Sequence, residues 1–373
     1  MYQSTINVWL DNHSENADAI PYYFYLEWTE RSHPKTDAYW IKELCGHAKQ
    51  GKSPSITMVN KFTHRPVILI GNIVPYDIPE KEEYKYKDNP GYNNIHFLKS
   101  HLQKCIRRKK TEKAIQTSRH LLEIDPISFL RRLAIILIED VSPPSFYTTI
   151  IWLLVATSSK KFQLSTNHKE WLLGAVYVAC NSPYRERFPS CDIKDDQLFS
   201  KVIVENKENK YQPTIFSLIM SIFLRIGFGG MKCDMCMLKS HAETWAKRGL
   251  IDNIDQKWIK YYHTKVRTIS WIVEPLRKED WEYSAIDFHC YPKMIDWLHS
   301  SFPDLENDDI KTIIWENRSS LNVRDYYDPN TQMCKEDNKC SRLITDNEWK
   351  QLLKNINRIS FYAIKNNSTN LFL

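Results

Sequence analysis

The chain has 373 residues and a formal net charge of +6, with 42% hydrophobic and 26% charged residues. This composition is typical of a folded globular protein and excludes an intrinsically disordered chain, and the length suffices for two domains. The chain contains only 9 glycines, which argues against folds that bind nucleotides through glycine-rich loops.

The cysteine content and the first residues of the sequence indicate the cellular compartment in which the protein is expected. Nine cysteines occur in a chain that begins with a polar segment instead of a secretory leader. We therefore expect reduced thiols in an intracellular protein of the cytoplasm or nucleus that is not secreted. The longest apolar run, residues 146–156, is too short to span a bilayer, so we expect no membrane partner.

Residues 1–92 differ in composition from the rest of the chain. The stretches 22–28, 55–59 and 66–71 are rich in aromatic and β-branched residues and predict strands. The stretch from Asp37 to Cys45 predicts a short helix between the first two strands. We therefore expect a small α+β domain over residues 1–92.

Residues 46–53 match the phosphate-loop pattern G-x-x-x-x-G-K-S through Gly46, Gly51, Lys52 and Ser53. Phosphate binding by this pattern needs a strand that enters the loop and a helix that leaves it. Here the predicted elements are in the opposite order, so an ordinary turn is the favoured interpretation. An ATPase that uses this loop stays open as an alternative function.

Residues 97–140 predict three amphipathic helices with short joins. Asp125 is a suitable N-cap for the third helix, and Pro126 suits its first position. The third helix is expected to end before the prolines that follow Val141. The first helix is expected to bury four residues: Leu98, Leu102, Cys105 and Ile106.

A cationic run begins within the first of these helices and continues after it, and two more arginines lie on the third. The candidate nucleic-acid-binding residues are Lys104, Arg107, Arg108, Lys109, Lys110, Lys113, Arg131 and Arg132. Contacts from such a set to phosphates give salt-sensitive, sequence-independent binding of DNA. The alternatives are a solvated helical face for the run, and pairing of Arg131 and Arg132 with Glu139, Asp140 or Glu123.

The same helices carry a family resemblance. Its residues are Leu102, Gln103, Lys104, Ile106, Arg107, Arg108, Asp125, Pro126, Arg131, Arg132, Leu133, Glu139 and Asp140. This pattern resembles the C-terminal helical collar (the MgsA/RarA C-terminal domain) of the replication-associated recombination ATPases, a family that includes the Werner helicase-interacting protein. A weaker echo occurs over 175–182, and Val141-Ser-Pro-Pro replaces the family's glycine-rich continuation.

The resemblance implies that residues 93–185 form a collar-like helical domain, which in that family drives oligomerisation beside a DNA-processing motor. The residues before it are too few for the family's ATPase core, so a collar without its motor is expected. The implied partners are DNA, further copies of this chain, or a separate AAA+ type motor. A collar that lacks its motor hints at a viral or otherwise divergent lineage.

Three residues have partial zinc-ligand spacing, and three more are candidates to complete the set: Cys233, Cys236 and His241, then Asp287, His289 and Cys290. A closed zinc site needs four ligands, and a single CxxC pair is weak evidence for one. The favoured interpretation is a helix whose cysteines pack in the protein core.

Residues 287–290 also contain the residue types of a catalytic cysteine–histidine pair. Neighbouring residues do not readily turn their side chains towards each other, so no catalysis is expected there.

The rest of the chain predicts further helices, and residues 186–373 form a helical extension of unassigned role. Gly249 is a candidate glycine after a helix end, and Thr345 with Glu348 predicts a capping box. The apolar faces of 150–155 and 215–224 fit either an interface between proteins or a core, and a core is the commoner use.

The expected fold is therefore mainly α, a helical collar-like bundle with a small N-terminal α+β domain. The expected function is that of a non-enzymatic accessory protein in DNA replication or recombination, without a cofactor. A protein-interaction scaffold with no nucleic-acid role is the main alternative.

Overall fold

The computed structural model describes residues 22–29, 36–41, 56–59, 66–72, 90–159, 162–186, 198–207, 211–250, 265–274, 276–282, 294–310, 325–327 and 345–365. The chain forms two compact units, each assembled from separate stretches of sequence. Unit 1 consists of Met1–Pro79, Leu137–Ala175 and Glu186–Thr268, and unit 2 consists of Glu80–Ile136, Val176–Arg185 and Ile269–Leu373. The units therefore differ from the consecutive division at residues 92 and 185 that the sequence predicts.

The fold is mainly α with a small strand-containing region at the N-terminus, as predicted. The described strands are β1 (Tyr22–Trp28), β2 (Thr36–Ile41), β3 (Ile56–Val59), β4 (Pro66–Gly71), β5 (Tyr184–Glu186) and β6 (Asp325–Tyr327). The main α-helices are α1 (Ile95–Arg107), α2 (Thr111–Ile124), α3 (Pro126–Glu139), α4 (Tyr147–Ser158), α5 (Thr166–Asn181), α6 (Leu198–Lys207), α7 (Pro213–Gly227), α8 (Lys232–Arg248), α9 (Met294–Ser301) and α10 (Asp346–Lys365). Two short 3₁₀ helices span Pro90–Asn93 and Lys278–Asp280. None of the helices in the described residues is both long and apolar enough to cross a membrane.

Unit 1 contains a four-stranded sheet in the order β2-β1-β4-β3. β1 is parallel to β4, and the other two pairings are antiparallel. The strands β1, β3 and β4 confirm the sequence prediction, but the helix predicted from Asp37 is wrong, because residues 36–41 form β2. In β2 the side chains of Ala38 and Trp40 are buried and alternate with more exposed ones, the two-residue period of a strand.

Helix α7 covers the edge strand β2. The backbone N–H of Trp40 donates to Ser217 Oγ at 3.1 Å, and its indole Nε1 donates to Ser221 Oγ at 3.3 Å. The Trp40 ring also stacks on Phe24 of β1, with ring centroids 4.7 Å apart. Ser217 thus satisfies a backbone donor that an edge strand otherwise leaves unpaired, and Ser221 satisfies the buried indole N–H.

The two apolar helix faces that fit either a core or an interface are both buried in unit 1. Residues 150–155 of α4 are at most 2% exposed, and residues 215–224 of α7 are buried along their whole length. Trp152 of α4 also donates its indole N–H to the carbonyl of Phe24 at 3.0 Å. These faces therefore form core, the commoner of the two predicted uses.

Helix ends in both units follow the sequence signals, with one exception. In unit 2, Asp125 accepts from the backbone N–H of Ser128 at 2.8 Å, which confirms the predicted N-cap of α3. The capping box of α10 is also confirmed, because Thr345 N–H donates to Glu348 at 2.7 Å. In unit 1, Gly249 has an ordinary right-handed φ of −82°. Glycine is favoured at this position for another reason: the Ile215 side chain packs so close that a Cβ here would lie 2.4 Å from it.

Candidate nucleic-acid interface

The turn between α1 and α2 is the first part of the predicted cationic surface. Helix α1 ends at Arg107, and Lys109, two residues later, lies in the left-handed region at φ 56°. The N–H groups of Lys109 and Lys110 donate to the carbonyls of Ile106 at 3.1 Å and Cys105 at 2.8 Å. These bonds form a Schellman motif, in which glycine is the usual left-handed residue. The turn thus holds an exposed lysine in a backbone conformation that L-residues adopt at an energetic cost.

The cationic run does not lie entirely at the surface. Lys109 and Lys110 are exposed and Arg108 is half-buried, whereas Lys104 and Arg107 are only 5% and 4% exposed. The prediction that the whole run meets solvent or phosphate is therefore wrong for these two residues. Both lie in the last turn of α1, where a cation is stabilised by the carbonyl end of the helix dipole.

Helices α1 and α3 bring together a second group of cations, which we call the helix-face cluster: His96, Lys99, Arg131 and Arg132. His96 is exposed, and the other three side chains are half-buried. Arg132 Nη1 donates to Gln103 Oε1 of α1 at 3.2 Å, which ties the two helices together. Two members, Arg131 and Arg132, belong to the set predicted from the sequence.

The members of this cluster repel one another. Burial lowers the pKa of Lys99, and the charges of Arg132 and Arg131 lower it further, while Asp125 acts against them. Burial also lowers the pKa of His96, and Lys99 and Arg132 add to that effect. Such like-charge repulsion is unfavourable in the free protein, and a bound anion would relieve it.

The sequence alone did not identify Lys99 and His96 as members of this cluster. Their signal is weak, because they are single cations in the first turns of α1 and not part of a run. They become a cluster only because α3 places Arg131 and Arg132 beside them. The pairing of α1 with α3 is a tertiary contact that helical periodicity does not encode.

Glu123, one of the predicted partners of the α3 arginines, pairs with a different arginine in the structure. Glu123 accepts from Arg119 Nη2 at 2.9 Å, one turn earlier on α2. The Arg119 guanidinium also lies over the ring of Trp271, 5.0 Å from its centroid. Glu123 is therefore engaged by Arg119.

Lys113, the remaining member of the predicted set, lies in the first turn of α2. Its Nζ is 3.1 Å from Glu282 Oε2, and the two side chains are 35% and 24% exposed. The chain therefore supplies its own anion to this part of the cationic surface.

A cysteine–histidine pair that the sequence analysis did not anticipate lies in the core of unit 2. Cys105 Sγ is 3.6 Å from the ring of His101, and both residues are fully buried. Burial raises the pKa of the Cys105 thiol and lowers the pKa of His101 to about 3. His101 is held by Thr117 Oγ1 at 2.8 Å and by the backbone N–H of Glu282 at 2.9 Å. A neutral thiol beside a neutral, hydrogen-bonded imidazole is suited to packing and not to nucleophilic catalysis.

The three predicted zinc ligands in the described part of the chain, Cys233, Cys236 and His241, do not assemble into a site. Cys233 is exposed and Cys236 is half-buried, whereas His241 is buried and lies 3.3 Å from Glu186. Among the residues described by the structure, no three His, Cys, Asp or Glu side chains form a group that could hold a metal ion. The other candidates, residues 287–290, lie outside the described residues.

The phosphate-loop residues Gly46, Gly51, Lys52 and Ser53 also lie outside the described residues, but the strands on either side are informative. β2 precedes the pattern, and β3 begins at Ile56, two residues after Pro54. A phosphate loop continues directly into a helix whose amides bind the phosphates. The strand at Ile56 leaves no room for that helix after Ser53.

A buried ionic cluster occupies unit 1, and we call it the Glu186 cluster: Ser142, Glu186, His241 and Arg248. Glu186 Oε1 accepts from Ser142 Oγ at 3.1 Å and from Arg248 Nη1 at 3.2 Å. Burial alone raises the pKa of the Glu186 carboxyl, but His241, Arg248 and Ser142 outweigh it and hold this pKa below its usual value. Because Ser142 donates to the carboxylate, the cluster lacks the serine–histidine contact of a hydrolytic triad.

Comparisons with known proteins give no information on the family or function of this chain. No protein-family model, no curated protein and no solved structure matches this chain. The resemblance of residues 97–140 to the recombination-ATPase collar therefore stays a prediction that rests on the residues quoted for it.

Proposed function

We propose that this protein is a non-enzymatic DNA-binding accessory protein of replication or recombination, which holds the DNA backbone on unit 2. The observation that carries the proposal is the helix-face cluster. Two helices half-bury Lys99, which lowers its pKa, and they hold Arg131 and Arg132 close enough for their charges to lower it further. A protein that gains nothing from an anion has no need of this arrangement, because the repulsion destabilises the fold.

The exposed turn between α1 and α2 supports the same proposal. Lys109 takes a left-handed conformation in which glycine is favoured. Backbone strain of this kind is often retained where a side chain has a function, and here it places a cation at the surface. The part of α1 from Lys99 to its end at Arg107 is about 12 Å long, and the turn that carries Lys109 follows it, so the two lysines span roughly four phosphates of one DNA strand.

The expected mode of binding is electrostatic and independent of sequence. About four phosphate contacts give a salt slope near −3.6 on duplex DNA, so affinity falls about 100-fold between roughly 50 and 200 mM salt. By the collar resemblance, we also propose self-association, or docking onto a motor supplied by another chain. Size-exclusion chromatography with light scattering measures the first of these directly.

Fluorescence anisotropy with single-stranded, duplex and forked DNA, each across a salt series, tests the proposal. The double variant Arg131→Glu, Arg132→Glu is expected to lose most of the affinity and to flatten the salt slope by about two, one for each lost contact. The matched control is Lys201→Glu, Lys207→Glu on α6, two exposed lysines whose reversal changes the net charge equally.

Two results would overturn the proposal. One is a folded wild-type protein that does not bind any of the three DNAs at about 50 mM salt, where phosphate contacts are strongest. The other is an equal loss of affinity in both double variants, which would mean that net charge acts and not the helix-face cluster. The first result would favour a protein-interaction scaffold.

A further inference from the structure

Residues 276–282 of unit 2, which include the second 3₁₀ helix, pack against α1 and against the 3₁₀ helix Pro90–Asn93. Leu276 is fully buried, and Trp281 is 4% exposed. The Trp281 ring lies 5.5 Å from the ring of Tyr92 and 4.9 Å from that of His101, measured between centroids. The position of this segment is therefore fixed by its apolar side chains.

Glu282 follows Trp281 and has separate roles for its backbone and its side chain. Its backbone N–H donates to the buried His101 Nε2 at 2.9 Å. Its carboxylate accepts from Lys113 Nζ at 3.1 Å. Because the backbone bond and Trp281 hold the segment, the carboxylate can rotate away from Lys113 without unseating it.

The charges around Glu282 come from the turn between α1 and α2. Burial alone raises the pKa of the Glu282 carboxyl, but the hydrogen bond from Lys113 and the charges of Lys113, Lys110 and Arg108 outweigh it and lower this pKa. Glu282 in turn acts on Arg108 as a favourable negative charge. Three cations of the predicted DNA-binding set thus share one internal acid.

We propose that Arg108, Lys110 and Lys113 form an anion-binding site whose internal occupant is the Glu282 carboxylate, and that a DNA phosphate competes with Glu282 for this site. This inference rests on the proposed function and adds a site with a built-in competitor. Carboxylates and phosphates both accept charge-assisted hydrogen bonds from lysine and arginine, so either oxyanion suits these donors.

The exchange is energetically accessible. Ion pairs between partly exposed side chains are weak, and this one has side chains that are 35% and 24% exposed. A phosphate of bound DNA is already held nearby by other contacts, so it competes at a high effective concentration. Glu282 therefore weakens DNA binding without preventing it.

The test compares two variants that remove the same charge from the same segment. Glu282→Gln keeps the backbone bond to His101 and leaves the three cations without their acid. It is expected to bind duplex DNA about threefold to fivefold tighter than wild type at roughly 50 mM salt, with a salt slope steeper by about one. The control is Glu279→Gln, because Glu279 is 67% exposed and lies beside Arg277.

A double-mutant cycle with Lys113→Gln separates competition from a general charge effect. If Glu282 competes at Lys113, the gain from Glu282→Gln shrinks when Lys113 is absent. The inference is overturned if Glu282→Gln gains no more affinity than Glu279→Gln while wild type binds DNA, and the proposed function then stands. If neither wild type nor Glu282→Gln binds at low salt, both the proposed function and this inference fail.

Discussion

The Glu186 cluster of unit 1 and the helix-face cluster of unit 2 are both groups of charged side chains, but they are composed differently. In the first, a buried carboxylate at 1% exposure meets Arg248, His241 and a serine hydroxyl. In the second, half-buried cations lie beside one another, and the acid that acts on Lys99 is Asp125. Opposite charges are matched in the Glu186 cluster, whereas like charges are gathered in the helix-face cluster.

This difference separates structural from functional charge. A buried carboxylate with several donors is stable only while those donors remain, so removing one partner leaves an uncompensated charge. A cluster of like charges has the opposite dependence, because removing one member relieves the others. Removing a charge from the Glu186 cluster is therefore expected to destabilise unit 1, whereas removing one from the helix-face cluster is expected to stabilise unit 2 slightly.

Acid is expected to give the largest effect and to act more strongly on unit 2. Burial lowers the pKa of His101 to about 3 and that of His120 to about 4 in unit 2, and the pKa of His168 to about 3 in unit 1. The unfolded chain takes up these protons below about pH 6.5, so stability is full above that pH and falls as the pH drops towards 4. At pH 5 each histidine contributes a loss of about 2 kcal/mol, hence about 4 kcal/mol for unit 2.

Urea unfolding at pH 7 and pH 5, read by pulsed hydrogen exchange of peptides from each unit, measures this difference. The variant His101→Gln removes one titrating group and should halve the pH dependence of unit 2. His299→Gln on α9 is the control at a half-buried histidine. An equal loss of stability in both units would contradict the prediction.

Neutralising Glu186 is expected to give the next largest effect. Glu186→Gln leaves Arg248 and His241 without their carboxylate and should lower the free energy of unfolding of unit 1 by about 3 kcal/mol. Urea denaturation at pH 7 measures the loss. The matched control is Glu243→Gln, because its ion-pair partner Lys247 is 73% exposed and the pair should contribute under about 0.5 kcal/mol. Similar effects of the two substitutions would remove the distinction between the clusters.

Neutralising Lys99 is expected to have the opposite sign. Lys99→Gln keeps helix propensity and relieves the repulsion from Arg131 and Arg132, so unit 2 should gain up to about 0.5 kcal/mol. DNA affinity should fall in the same variant, which anisotropy measures alongside thermal unfolding. Lys201→Gln on α6 should change neither quantity. A destabilised Lys99→Gln protein would show that Lys99 is structural.

The smallest effect concerns the turn after α1. Lys109→Gly relieves the left-handed strain and should stabilise unit 2 by about 0.5 kcal/mol after the extra chain entropy of glycine is subtracted. Lys110→Gly removes the same charge at φ −84° and should destabilise by about 0.5 kcal/mol. Both variants should weaken DNA binding alike. If only one does, the turn acts through its conformation and not through its charge.

The elements that the sequence predicted well are those with a local physical cause. The three helices of residues 97–140 follow from apolar periodicity, and the cap at Asp125 follows from its side-chain acceptor beside a proline. Strands β1, β3 and β4 follow from β-branched and aromatic runs. The helix prediction for residues 37–41 was wrong because a short alternation of apolar and polar residues also fits one turn of a helix. Antiparallel pairing with β1 makes this segment a strand.

The candidate site divides in the same way. The sequence by itself determined the mainly α fold, the cationic residues at the turn, and the two arginines of α3. The tertiary structure decided which charges meet: it buried Lys104 and Arg107, set Glu282 against Lys113, and gathered Lys99 with the α3 arginines. Helix formation depends on neighbours within a turn or two, but burial and charge pairing depend on residues far apart in the chain, as from 113 to 282.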